Sequence, residues 1–395
     1  MSIGIRPSLA GFRFPVCLGL LLVAAGLASA FAQGRSEALI RRLQDKDPQV
    51  RQAAIKEVKT LGGEAQTVVP ALVGLLKAPE EDLRATAAEA LANLGAGAGT
   101  ATPALIEALK DPGAPVRRQA AFALGQLGAE ARPAAPALGG LLKDPNALVR
   151  ANAAFALGRI GEAKGYLPAL MELLKDQNEN VRRDAAETIG KIGVDATEAV
   201  PALMVLLKDQ NGFVRRYTAE ALGRIGSGAR PAIPGLVALL QDREFMVRSY
   251  SAYSIKQIGL EPSAAIPVWT ALLKDNSEHL RSYAADALGE LGPEARVAMP
   301  ALLEALKDRD RFVKVSAAKG LGKMGPEART AIPALIELLK DSEPLVRSSS
   351  SDALGKFGAD AKEAIPMLAE LQKDPETVVR LAATGALAKI NNSAK

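Results

Sequence analysis

Few side chains in this sequence could do chemistry alone, and those that recur do so at one interval. The chain has one histidine and one cysteine among 395 residues. His279 and Cys17 therefore supply no histidine or thiolate metal cage, no cysteine–histidine nucleophile pair and no disulfide framework. No glycine-rich phosphate loop or serine–histidine–acid set is present. What recurs is Tyr217, Tyr250 and Tyr283, one every 33 residues, with Tyr253 three positions beyond the second. Glu187, Glu220 and Asp286 share one phase of the same interval, and a basic position that includes Arg224 shares another. Carboxylates at such spacing fit a solvated face better than a general acid–base pair, which must converge on one substrate. Tyrosines in a column either anchor a partner or fill the groove between neighbouring helices. The sequence thus offers no catalytic residue, no metal ligand set and no cofactor.

The elements that position these residues are themselves periodic. A proline followed by small and apolar residues stands at Pro70, Pro103, Pro136, Pro168, Pro201, Pro234, Pro267, Pro300, Pro333 and Pro366. Every step is 33 residues except the one into Pro168, which is 32 and places a deletion in the loop after Gly161. An apolar–basic pair runs in phase, with Arg215 and Arg248 as examples, and an aspartate such as Asp209 or Asp242 lies six residues before each basic residue. Only Ala78 breaks the aspartate series. This gives eleven repeats from Ser36 to Lys395.

One repeat shows the physics. Ala199–Lys208 reads as a first helix with Leu203, Leu206 and Leu207 on one face, and Pro201 sits in the first turn, where donors lack intrahelical partners. Asp209-Gln210-Asn211-Gly212 is a turn. Phe213–Ile225 reads as a second helix with Val214, Thr218, Leu222 and Ile225 at helical spacing. Gly226 ends it where a left-handed conformation is favoured, and the equivalent glycine recurs in ten repeats, Asn391 taking its place in the eleventh. A second glycine three residues earlier, such as Gly223 or Gly289, costs about 1 kcal/mol of helix propensity. Close approach of the next repeat's backbone is the expected reason. Trp269 replaces a core leucine, and His279, at a helix entry, is expected to be solvated.

The pattern from Pro201 to Gly226 resembles the short bacterial HEAT repeat, including the HEAT-like repeats first named from phycobilisome lyases. The ankyrin Thr-Pro-Leu-His signature is missing, although the repeat length would suit it. The resemblance covers Ser36 to Lys395 and implies an all-α, right-handed α-solenoid of about eleven helical hairpins. No hairpin can bury its own apolar face, so neighbours must stack into a continuous core. The resemblance also implies an aspartate–arginine ladder, here Asp209, Arg215, Asp242 and Arg248. Acids and bases alternate in it, so a structural role is expected rather than a polyanion track.

The first 32 residues differ. Arg6 and Arg13 precede an apolar run from Val16 to Leu27, followed by Ala28-Ser29-Ala30 and Ala30-Phe31-Ala32. That is the pattern of a secretory signal, and the run is short of the roughly 20 residues a membrane span needs. Cleavage predicts a periplasmic or secreted protein with no thiol and no membrane span. It also removes two of the charges behind the net +5, so the basic pI of about 9.2 is no nucleic-acid signature.

Counting from the apolar residue before each ladder base as zero, positions 2, 3, 6 and 10 of a second helix face away from the core. Tyr217, Tyr250 and Tyr283 take position 3; Glu187, Glu220, Tyr253 and Asp286 take position 6; Arg224 takes position 10. These eight residues are the expected partner-binding strip on the concave face. The expected function is an exported, non-catalytic scaffold binding a protein or peptide. The resemblance keeps a phycobilin-lyase-like tetrapyrrole chaperone as an alternative, and stacked tyrosines keep an envelope polysaccharide binder. Deoxyhypusine hydroxylases of the same repeat class need several His–Glu pairs, and Glu278-His279 is a single pair in the wrong order. Leu381, outward-facing in the last repeat, predicts weak end-to-end self-association.

Overall fold

A computed structural model describes residues 34–62 and 65–393, and every regular element among them is helical. The proposed signal segment lies outside the described residues. Within the described ones, no helix is long and apolar enough to cross a membrane. The repeat becomes eleven hairpins. Their second helices are α1 (Pro48–Val58), α2 (Glu81–Leu94), α3 (Ala114–Leu127), α4 (Ala147–Ile160), α5 (Glu179–Ile192) and α6 (Gly212–Ile225). They continue as α7 (Phe245–Ile258), α8 (Glu278–Glu290), α9 (Arg311–Met324), α10 (Pro344–Lys356) and α11 (Thr377–Asn392). The chain divides into two compact units, one ending at Ile192 and the other beginning at Gly193. Each is a stack of hairpins in which a second helix packs on its own first helix and on the second helix next door.

Local rules account for each hairpin. The first helix Val200–Leu206 opens with Pro201, and Leu203, Leu206 and Leu207 are buried. Asn211 caps α6 by accepting hydrogen bonds from the backbone N–H groups of Phe213 and Val214 at 2.8 and 3.3 Å. Val214, Thr218, Leu222 and Ile225 are at most 1% exposed, as the helical spacing requires. Gly226 ends α6 with φ 71° and ψ −139°. The positive φ is as expected, but the ψ is not left-handed helical. It turns the chain into a 3-10 segment, Gly226–Ala232, that feeds the next first helix. Only glycine tolerates that region, so the requirement is stricter than for a left-handed cap. Gly161, with φ 83° and ψ 17°, does adopt the left-handed cap, and its following 3-10 segment shrinks to Ala163–Tyr166. That is where the missing residue was expected. Asn391 departs from expectation: α11 runs through it, and no non-glycine residue among those described has a positive φ.

The second glycine is a packing device. A Cβ added to Gly289 would lie 2.5 Å from Gly320 Cα, and one added to Gly223 would lie 2.9 Å from Ser254 Cα. Neighbouring second helices therefore touch backbone to backbone, as the sequence led one to expect. In α7 this position is Lys256, and there α7 and α8 barely touch. The Lys256 ammonium instead reaches across to Glu290 at 2.8 Å and lies 5.4 Å from the Tyr283 ring centre. Few buried contacts mean cheap local opening. Amides of α7 and α8 are expected to exchange with deuterium faster than those of α9 and α10. Equal protection in mass-spectrometric exchange would show that the lysine does not loosen this junction.

The ladder exists and links successive hairpins. Arg215 donates from Nε and Nη2 to both carboxylate oxygens of Asp242 at 2.7 and 2.9 Å, while its Nη1 donates to the Asp209 and Gln210 carbonyls of its own turn at 2.8 and 3.0 Å. Asp209 accepts the Asn211 N–H at 2.9 Å. Arg248 makes the same fork to Asp275, and Arg281 to Asp308. The first unit repeats the arrangement from Arg84 to Asp111, Arg117 to Asp144 and Arg150 to Asp176. Lys314 makes a single bond to Asp341 at 2.7 Å, since an ammonium has no fork. Where Ala78 breaks the series, Arg51 approaches Asp82 at 3.6 Å instead. Burial alone raises the Asp242 carboxyl, but hydrogen bonds from Arg215 and the Glu244 backbone N–H outweigh it and hold it below its ordinary 3.8.

Candidate functional site

In α6 most of the circumference is buried, because the helix packs on its own first helix and on α7. In α6 the positions left accessible are Arg216, Tyr217, Glu220 and Arg224, together with Phe213 at the helix entry. In α6, positions 2, 3, 6 and 10 are thus the open arc, as the helical angle allows.

The predicted residues divide into two environments. Tyr217 and Tyr250 are half-buried, and the Arg216 guanidinium lies between them, 4.6 Å from one ring centre and 4.3 Å from the other. Arg216 Nη2 also donates to the Tyr250 hydroxyl at 2.9 Å. Tyr283 sits deeper. Its ring meets Trp269 edge-on with centres 6.0 Å apart, and its enclosed hydroxyl has no hydrogen-bond partner. Burial foremost, with Glu290 and Tyr253 adding to it, pushes the Tyr283 phenol up to about 12. Trp269 is core, at 4% exposure. Tyr253, by contrast, is 49% exposed.

Glu220, Arg224, Tyr250 and Tyr253, with Ser249, line one pocket of about 450 Å³ between α6 and α7. Four of the eight predicted residues therefore converge. Arg224 and Glu220 pair at 2.7 Å on one wall, leaving the Tyr253 ring as the open apolar element. Asp286 is half-buried on α8, outside this pocket. Glu187 belongs to the first unit, where it pairs with Lys191 at 2.8 Å. Lys191 also lies over Phe155, which stacks on Phe122 with ring centres 5.8 Å apart.

Several residues of this face were not singled out in the sequence. Arg216, at position 2 of α6, is the only arginine preceding a column tyrosine, and that adjacency was the available signal. Asp184 takes the tyrosine position in α5 of the first unit. It is 8% exposed, burial raises its carboxyl, and Arg183 donates to it at 2.7 Å. A second pocket, of about 910 Å³, opens on the first helix of hairpin eight beside Pro262, Ile266, Pro267, Thr270 and Val297. No sequence pattern marks it. His279 is solvated, 4.0 Å from Glu278. No cluster of three or more potential metal ligands occurs among the described residues.

An importin β crystal structure superposes with a TM-score of 0.60 at 16% identity, covering 91% of this chain and 56% of that one. Kap95p, from a structure in which its binding induces the switch loops of RanGDP to adopt the GTP-bound conformation, gives 0.57 at 12% identity, with 90% and 62% covered. The chain thus spans little more than half the length of these two proteins, and the likeness is one of fold. An engineered protein shares 22% identity over 90% of this chain and 98% of its own, with a TM-score of 0.48. No curated protein matches the sequence. A model described as HEAT repeats matches residues 36–125, 70–141, 102–176, 134–212, 167–256 and 299–388. One described as the PBS lyase HEAT-like repeat matches residues 280–308. With the repeat, its hairpin geometry and these matches in agreement over most of the sequence, the chain belongs to the HEAT-repeat family.

Proposed function

We propose that this protein is an exported, non-catalytic scaffold that captures a partner polypeptide on the second-helix face of its second unit, centred on the pocket beside Tyr253. The observation that carries this reading is the 49% exposure of Tyr253 over a pocket whose neighbouring tyrosines are engaged in packing. A half-exposed aromatic beside a recess is the kind of anchor that dominates interface energetics. The Glu220–Arg224 pair on the wall presents both a donor and an acceptor to a peptide backbone. Export is supported by the apolar run from Val16 to Leu27 behind Arg6 and Arg13. Absence of catalysis is supported by the acid lining the pocket, Glu220, being paired with Arg224 rather than set against a second carboxylate.

A photo-crosslinking residue at position 253, expressed in the full chain in its native envelope, is expected to give one dominant adduct. The same residue at Val205, exposed on a first helix, is expected to give none of it. Loss of the adduct on Arg224→Glu, with the thermal midpoint unchanged, would complete the case. Indistinguishable adducts from both positions would sink it. A new long-wavelength absorbance on mixing the protein with a bilin would instead favour the tetrapyrrole reading.

A further inference from the structure

The last three hairpins carry a second surface, built differently from the tyrosine face. At the entries of α9, α10 and α11, Phe312, Leu345 and Val378 are 48%, 44% and 46% exposed and form one apolar rail along the stack. At position 10 of the same helices stand Lys323, Lys356 and Lys389, all exposed. Eleven residues of helix separate the two rails, about 16 Å at 1.5 Å per residue. Between them, the tyrosine position is taken by Ser316, Ser349 and Ala382, only 5%, 5% and 9% exposed. Small residues there leave a recess beside Lys319 and Asp352, which are exposed at position 6, whereas Tyr217, Tyr250 and Tyr283 fill the equivalent ground on α6, α7 and α8.

The lysines differ from their counterparts elsewhere. Lys191 and Arg224, at the same helical position, are each neutralised by a glutamate four residues earlier. Lys323, Lys356 and Lys389 follow Lys319, Asp352 and Gly385. Among the described residues, none of the three lysines has a carboxylate within ion-pair reach. The stems of Lys356 and Lys389 are nonetheless packed against the preceding helix. A Cβ on Gly322 would lie 3.3 Å from Lys356 Cδ, and one on Gly355 would lie 3.5 Å from Lys389 Cδ. Glycine in the preceding helix makes the bed for these two stems.

From these two rails we infer that the trough over α9, α10 and α11 docks an acidic amphipathic α-helix of a partner protein. A helix with its side chains is about 10–12 Å across and fits between rails about 16 Å apart. Hairpins stack at about 8–10 Å, close to the 10.5 Å or so that seven residues of a helix span. Apolar residues at i, i+7 and i+14 of the partner would meet Phe312, Leu345 and Val378 in turn. Glutamates or aspartates on its flank would meet the three lysines. Leu381, 69% exposed at the last rung, adds to the apolar side. A flat anionic bilayer touches both rails but not the recessed floor, and a phosphate backbone has no use for the apolar rail. The surface is separate from the Tyr253 pocket and does not depend on it.

The experiment uses the full chain and three probes. The first is a labelled synthetic helix of about 18 residues with leucine at i, i+3, i+7, i+10 and i+14 and glutamate on the flanks. The second is a scrambled peptide of the same composition, and the third is vesicles of phosphatidylcholine with phosphatidylserine. By anisotropy, the amphipathic peptide is expected to bind at least about tenfold more tightly than the scrambled one. Lys323→Glu with Lys356→Glu is expected to abolish that margin and the salt dependence. Leu345→Ser is expected to weaken binding while leaving the salt dependence in place. All substituted side chains are exposed, and unchanged thermal melts would confirm the fold. Equal binding of the scrambled peptide, or full affinity in the charge-reversed variant, would overturn the inference. Vesicle capture without peptide binding would overturn it in favour of a membrane. Crosslinking at position 253 should be indifferent to these variants, so the two surfaces fail or succeed separately.

Discussion

Arg215→Met lowers the stability of the chain by about 3 kcal/mol, broadens its urea transition and leaves its helical content in the folded state unchanged. The arginine and its partner Asp242 are 10% and 9% exposed at their side chains, so little water is at hand to replace what is lost. Removal strands a carboxylate and two turn carbonyls, and that stranding costs more than the ion pair gains over water. Broadening follows because the link joins adjacent hairpins, and a stack whose interfaces weaken unfolds in pieces. The double variant Arg215→Met with Asp242→Leu should recover part of the loss, since no buried charge is then left alone. The pH profile carries a second signature. Asp242 is held below its ordinary 3.8, so its ionised form stabilises the fold above that value and the contribution drains away as pH falls through the folded value. The gap between wild type and Arg215→Met is therefore constant from about pH 5 to 8 and narrows below about pH 4. A gap unchanged down to pH 2.5, or no loss of stability at neutral pH, would refute the account.

Gly289→Ala destabilises by about 1–3 kcal/mol, although alanine is the better helix former by about 1 kcal/mol. The new methyl would lie 2.5 Å from Gly320 Cα, so backbone rather than a flexible side chain must give way. Gly385→Ala supplies the control. It stands within α11 with no atom within 4 Å of an added Cβ, and there the propensity gain is expected to appear as a small increase in midpoint. Opposite signs for the two substitutions would establish that one glycine serves interhelix contact and the other does not. Equal signs would remove packing as the reason for the recurring glycine.

How much of this was legible beforehand depends on whether an interaction repeats. Pro201, Gly226, Asp209 and Arg215 recur in phase because each acts within a hairpin or on the identical neighbour, so periodicity alone exposes them. Gly226 was read correctly as a helix stop, but its ψ of −139° arises from the 3-10 segment that follows, which no residue pattern had suggested. Asn391 continues α11 instead of ending it, because the positive-φ turn made at the other repeats' glycines is costly for a residue with a Cβ. The tyrosine column was visible as a spacing, yet its three members differ: Arg216 threads two of them, while Trp269 receives the third. Lys256 was a departure from the glycine pattern that could have flagged the loose junction between α7 and α8.

The sequence by itself determined the hairpin, its register and the ladder, because a repeat states each local requirement many times over. Only the tertiary structure decided which outward residues are free. Tyr253 stays open while Tyr283 is enclosed, and Lys356 stays unpaired while Lys191 does not. The reason is that outward positions are governed by what the adjacent hairpin places beside them, and those neighbours are where the repeats differ.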